Sequence, residues 1–295
     1  MKFRLTGMAW IATLSLGNGP STQSLELDAD RPLVTITIDG RQTVMEVAPD
    51  GPNSPIVNAE VATELGKKGS LVNGRHMVGR TAVSASSNMA RIDYGDGDVT
   101  KNRIFWFERD WTKVGEGRMG PGLMPQDIVT YRLSESQPNE QTIALPFVKH
   151  GRAGYRSETV IDDITIPVIL TFDRPETMVT ASTGALMASF YGGQMSGDPR
   201  DIELEMSFMR PARSMEFAAP IMIGELALSD VVVRTTDTGS TANIPDKDQD
   251  PNEIVVTAKS KRKPLHGIFL GTASFANCST LTFDKKRDEI RLTCV

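Results

Sequence analysis

The chain has little with which to ligate a metal or run imidazole chemistry. Its 295 residues include 2 cysteines and 3 histidines. The histidines, His76, His150 and His266, are scattered, and none is spaced with a cysteine as a zinc site requires. There is no basic excess: 32 Lys and Arg against 37 Asp and Glu give a net charge of −5. A nucleic-acid partner is therefore not expected, since such a surface needs a basic face. No apolar run after the N-terminus approaches the roughly 20 residues of a membrane-spanning helix. G-x-S-x-G, H-E-x-x-H and P-loop patterns are missing. Ser260-Lys261-Arg262-Lys263 fits S-x-x-K only formally, because it lies in a charged stretch rather than at a helix start. No cofactor and no metal are expected.

What is present reads as a packed, turn-rich β protein. Apolar residues make up 39% and charged residues 23%, and there are 25 Gly and 17 Pro. The length suits two domains. Lys2 and Arg4 open a short apolar run over residues 5–16, with a small-x-small site at Ser15-Leu16-Gly17. We read 1–20 as a secretory signal peptide; the competing reading is a buried N-terminal strand or helix. Cys278 and Cys294 flank the open end of an expected hairpin, Leu281-Thr282-Phe283 returning as Ile290-Arg291-Leu292. A disulfide is the natural reading in an oxidising compartment. The facing pattern is off by one, which calls for a bulge.

Residues 33–38 run into Asp39-Gly40, a strong hairpin turn signal, and return over 43–47. A Pro-rich loop, Ala48-Pro49-Asp50-Gly51-Pro52, follows. Asn58 is placed to cap a short helix over 59–65 that Gly66 stops. Strands are expected over 79–94, 99–107 and 128–133. Asp93, Asp96 and Asp98 depart from the calcium-loop pattern and read as a turn. After a polar link at 134–141 the order begins again. Residues 166–172 are matched to 33–38, Asp173-Arg174 to Asp39-Gly40, and Ala48 to Ser182. Gly271 is matched to Gly120. The added length of the second copy falls in 244–264, a charged loop. The expected lobes are 28–145 and 155–295.

Strand, turn, strand, a loop such as Ser182-Thr183-Gly184-Ala185, a short helix and a late apolar-apolar-Gly resembles the order in retroviral-type aspartic proteases. Two such units resemble the bilobal pepsin-like arrangement. The resemblance implies an all-β fold of two tandem acid-protease-like (retropepsin-type) β-barrel lobes. It also implies a shared pair of catalytic carboxylates, one from each loop. Here the first positions of those loops are Ala48 or Pro49 and Ser182, so the dyad is missing. Asp237-Thr238-Gly239-Ser240 is a literal match in the wrong context; Asp50 and Asp237 are the two candidate acids.

Glu253-Ile254-Val255-Val256-Thr257-Ala258 resembles the TonB box of Gram-negative outer-membrane receptors, a segment suited to strand addition. The competing reading is an ordinary edge hairpin. The expectation is an exported, periplasmic or secreted pseudoprotease that binds an extended peptide or protein strand, with a TonB-type periplasmic protein as a further partner. The alternative is a divergent aspartic-type endopeptidase using Asp50 and/or Asp237.

Overall fold

The computed structural model describes residues 23–79, 81–112, 114–236, 241, 244 and 264–295. The chain runs β1 (Ser24–Asp28), β2 (Leu33–Ile38), β3 (Arg41–Val47), β4 (Ile56–Val57), helix α1 (Ala59–Glu64), β5 (Gly74–Val78), β6 (Thr81–Asp93), β7 (Val99–Trp106), β8 (Gly117–Met119) and β9 (Ile128–Arg132). It continues through β10 (Gln141–Lys149), β11 (Tyr155–Ile161), β12 (Ile164–Leu170), β13 (Thr177–Val179), helix α2 (Ala181–Tyr191), β14 (Gln194–Glu203) and β15 (Met209–Glu216). A small pair follows, β16 (Met222–Ile223) and β17 (Leu226–Ala227). The last elements are β18 (Val231–Arg234), β19 (Ile268–Leu270), β20 (Cys278–Asp284) and β21 (Glu289–Cys294). The fold is all-β, as expected. Among the described residues no helix is long and apolar enough to cross a membrane.

Seven strands form one sheet in the order β2-β3-β8-β4-β7-β6-β5. A twelve-stranded sheet contains the run β11-β12-β19-β13-β18-β15-β14, which repeats that order strand for strand. The pairing senses agree as well. β3 with β8 and β12 with β19 are parallel, and β4 with β8 and β13 with β19 are antiparallel. α1 follows β4 as α2 follows β13. The buried residues include Val61 and Ala62 in α1 and Thr183, Gly184, Met187 and Ala188 in α2.

The sequence match of the second copy is out of step by one strand. The β2–β3 turn has Asp39 and Gly40 at φ 47° and 88°. Its counterpart joins β11 to β12 at Asp162 and Asp163, φ 49° and 61°, not at Asp173-Arg174. Asp tolerates the left-handed region that this two-residue turn requires, so the turn forms with no glycine to advertise it. Residues 164–170 therefore match 41–47, not 33–38.

The other five strands of the large sheet run β1-β9-β20-β21-β10. The hairpin β20–β21 sits between β9 and β10, so the two expected halves share one ladder. Cys278 and Cys294 form the anticipated disulfide, and the register slips between Cys278 and Thr280 as the off-by-one pattern required. Tyr131 of β9 and Phe283 of β20 are fully buried and pack edge to face with 6.1 Å between ring centroids.

Candidate functional site

Two loops leave equivalent strands and cross equivalent glycines. Beyond β3 the Ala48 amide donates to Met119 O at 2.9 Å, and the Gly120 amide donates to Pro52 O at 2.8 Å. Beyond β12 the Thr171 amide donates to Leu270 O and the Thr272 amide to Arg174 O, both at 3.0 Å. A Cβ at Gly120 would stand 2.2 Å from Gly51 O, and one at Gly271 would stand 2.2 Å from Glu176 O. Only glycine admits such backbone crossings. The pairing of Gly120 with Gly271 thus stands. The residue equivalent to Ala48 is Thr171, however, and not Ser182.

Ser182, Thr183 and Gly184 form the first turn of α2. Thr180 caps that turn, its Oγ1 accepting from the Thr183 amide at 3.3 Å, and Thr183 Oγ1 accepts from the Gly267 amide at 2.9 Å. Gly184 lies against Val233, which would meet an added Cβ at 2.5 Å. These residues dock a helix. Ala48 and Pro49 are buried beside the first loop.

Both loops turn an aspartate toward one guanidinium. Arg118, on β8 opposite Glu46 of β3, has a side chain only 5% exposed. Its Nη2 donates to Asp50 Oδ1 at 2.5 Å, while Nη1 and Nη2 donate to Asp173 Oδ1 and Oδ2 at 3.0 and 3.1 Å. Glu46 Oε1 stands 3.5 Å from Nη1. Asp50 comes three residues beyond β3 and Asp173 three beyond β12, so the repeat delivers both. Burial pushes the Asp50 carboxyl up to about 6; Arg118 opposes this, and the like charge of Asp173 adds to it. The three carboxylates keep Arg118 charged against its own burial.

The hairpins β5–β6 and β14–β15 each reach into the other repeat. Val78, at the tip of β5, is buried among Met178, Leu204, Ala212 and Val232. Met206, between β14 and β15, is buried among Ile56, Ala85, Phe105 and Phe107. His76 Nε2 meets Glu205 Oε2, and Arg210 Nη2 donates to Thr81 Oγ1 at 2.5 Å. Beneath the clasp lies a cleft of about 190 Å³. Ile169, Met178, Leu204 and Phe269 supply its apolar wall. Asp50, Glu205, Arg156, Arg174, Arg234 and His266 supply its polar atoms.

Of the acids singled out in the sequence, Asp50 reaches the centre. Asp237 and the segment Glu253, Ile254, Val255, Val256 and Thr257 lie outside the described residues, as does 1–20. Asp93 accepts amide hydrogen bonds from Gly95 and Gly97 at 2.8 and 3.0 Å, as a turn aspartate does. Asn58 stands at the α1 N-cap position, but its side chain makes no capping bond; Nδ2 donates to Gly115 O at 3.3 Å. Sequence reasoning missed Arg118 and Asp173. An arginine inside Gly117-Arg118-Met119-Gly120, where burial is expected, was the available signal: a buried cation requires buried anions. No protein-family model and no curated protein matches the chain.

Proposed function

We propose that this chain is a non-catalytic, two-lobed protein of the acid-protease type that binds a peptide or protein strand between its repeats. One observation carries the reading. Where two repeated loops meet, a guanidinium stands between Asp50 and Asp173, and the loop positions next to the strands are Ala48 and Thr171. An aspartic dyad works because two carboxylates share a proton and a water. Here the two carboxylates both accept from Arg118, so neither is placed to activate water with the other. The strand order repeated around equivalent glycine crossings supports the two-lobed reading. The disulfide supports an exported protein in an oxidising compartment, and the segment Glu253–Thr257 keeps a TonB-type protein as the proposed strand-adding partner.

The test is incubation of the purified mature chain with a mixed peptide library from pH 3 to 7, read by mass spectrometry, with and without pepstatin. The expected result is intact peptides at every pH. Pepstatin-sensitive cleavage, lost in Asp50→Asn, would establish the endopeptidase alternative instead.

A further inference from the structure

The clefts, charged clusters and exposed apolar residues of the molecule differ in how completely their polar groups are matched. The centre around Arg118 is matched: one cation, two bonded carboxylates and a third nearby. The cleft above it is not. Two of its negative groups are already engaged, Asp50 with Arg118 and Glu205 with His76. Two of its positive groups are not similarly engaged.

The side chain of Arg156, on β11, makes no hydrogen bond or ion pair among the described residues; Glu205 and Asp50 act on it only through space. Burial nevertheless pulls its guanidinium below the ordinary arginine value. Arg174, in the loop after β12, has a buried Nε without an acceptor. Its Nη1 points at Met178 Sδ, 3.2 Å away, and a thioether is a weak acceptor. His266 adds a buried Nδ1 without a partner, and burial favours its neutral form. Both arginine side chains are partly buried, and a partly desolvated guanidinium without an anion is poised to accept one. These donors share one cleft with an apolar wall.

We propose that this cleft binds a carboxylate borne on an aliphatic stem, held by Arg156 and Arg174 with the stem against Ile169, Met178 and Phe269. The proposal deepens the binding reading given above and rests on it. The cavity volume, about 190 Å³, exceeds the roughly 150 Å³ of an engineered cavity that admits benzene. It therefore holds one residue and not a whole extended strand. The rest of a peptide would leave past the clasp of Val78 and Glu205. The carboxylate belongs to a peptide C-terminus or to an acidic side chain. A planar guanidinium recognises either by a bidentate pair of hydrogen bonds.

The experiment uses the full mature chain and four fluorescein-labelled pentapeptides, measured by anisotropy at pH 7 and low salt. The first is Ala-Val-Ala-Val-Leu with a free C-terminus, and the second is its amide. The third is the amide with a central Glu, and the fourth has a central Gln. At least one acid-bearing peptide should bind tenfold or more tighter than its neutral counterpart, the scale of hydrogen bonds to charged groups. The pair that differs identifies the source of the carboxylate. The preference should shrink in Arg156→Lys, which keeps the charge but loses the bidentate fork, and vanish in Arg156→Gln/Arg174→Gln. Equal binding of acid and neutral peptides overturns the proposal while leaving the non-catalytic reading in place. So does a preference that survives the double glutamine variant, and so does the absence of all binding. Cleavage products in the same samples would overturn the non-catalytic reading itself.

Discussion

Replacing Arg118 by methionine should destabilise the protein by about 3–5 kcal/mol at pH 7, the range for removing one partner of a buried ion pair. Most of the loss comes from Asp50, whose side chain is 10% exposed and 2.5 Å from the lost nitrogen. Asp173 contributes less, because its side chain is 29% exposed and water can replace the guanidinium. Methionine keeps the aliphatic volume, so packing around β8 changes little. The loss should depend on pH with a defined sign. Already in the parent, burial holds the Asp50 carboxyl at about 6. Without Arg118, its largest opposing influence, it rises further. A carboxyl whose folded value lies above its unfolded value takes up a proton on folding, so stability grows as pH falls through that window. The deficit of Arg118→Met should therefore shrink between pH 7 and 5, and Arg118→Met/Asp50→Asn should recover most of it at pH 7. Urea denaturation followed by tryptophan fluorescence measures all three proteins. A deficit under about 1 kcal/mol, or one unchanged at pH 5, would refute the argument that an unpaired buried charge is the cause.

Asp50→Asn alone should flatten one part of the stability profile. The parent should gain up to about 3 kcal/mol over the variant as pH falls from 7 to 4, since each tenfold change in proton affinity is worth about 1.4 kcal/mol; parallel urea titrations check this. Gly271→Ala places a methyl 2.2 Å from Glu176 O, a clash with backbone that cannot move aside, and should cost more than about 3 kcal/mol or prevent soluble expression. Cys278→Ala/Cys294→Ala opens a link across a sequence separation of 16 residues and should cost about 3 kcal/mol, read as a lower urea midpoint that reductant no longer changes. Thr183→Val removes the acceptor of the Gly267 amide and should cost about 1–3 kcal/mol, with α2 amides exchanging faster by hydrogen exchange.

Local chemistry that lies within a few residues was legible. The Asp39-Gly40 turn, the short helix before Gly66, the hairpin with its disulfide and bulge, and the paired glycines Gly120 and Gly271 all follow from turn geometry or strand alternation. The register of the second copy did not follow. Residues 166–170 are apolar at every position, and such a run fits either strand of a hairpin equally well. The turn that would have decided between them uses Asp162 and Asp163, which carry a weaker signal than glycine. That one-strand shift moved Ser182 into the loop and kept Thr171 and Asp173 out of it. The centre itself is a non-local fact. Arg118, Asp50 and Asp173 meet only because β8 pairs with β3 and because β12 repeats β3, and side-chain alternation does not encode which distant strands pair.

The placement of the hairpin β20–β21 between β9 and β10 governs the order in which the molecule can be completed. β9 leaves the ribosome early, and the strand it needs on one side comes near the other end of the described chain. At roughly 5–20 residues per second of synthesis, β9 waits on the order of 10–30 s for β20. During that interval Val129 and Tyr131, fully buried in the finished sheet, have no partner strand on that edge. Such an edge invites pairing with the wrong chain. The charged Arg132 and Asp28 at the end of the β1–β9 pair are placed to discourage it. Until that last hairpin arrives, the nascent first half carries an open sheet edge.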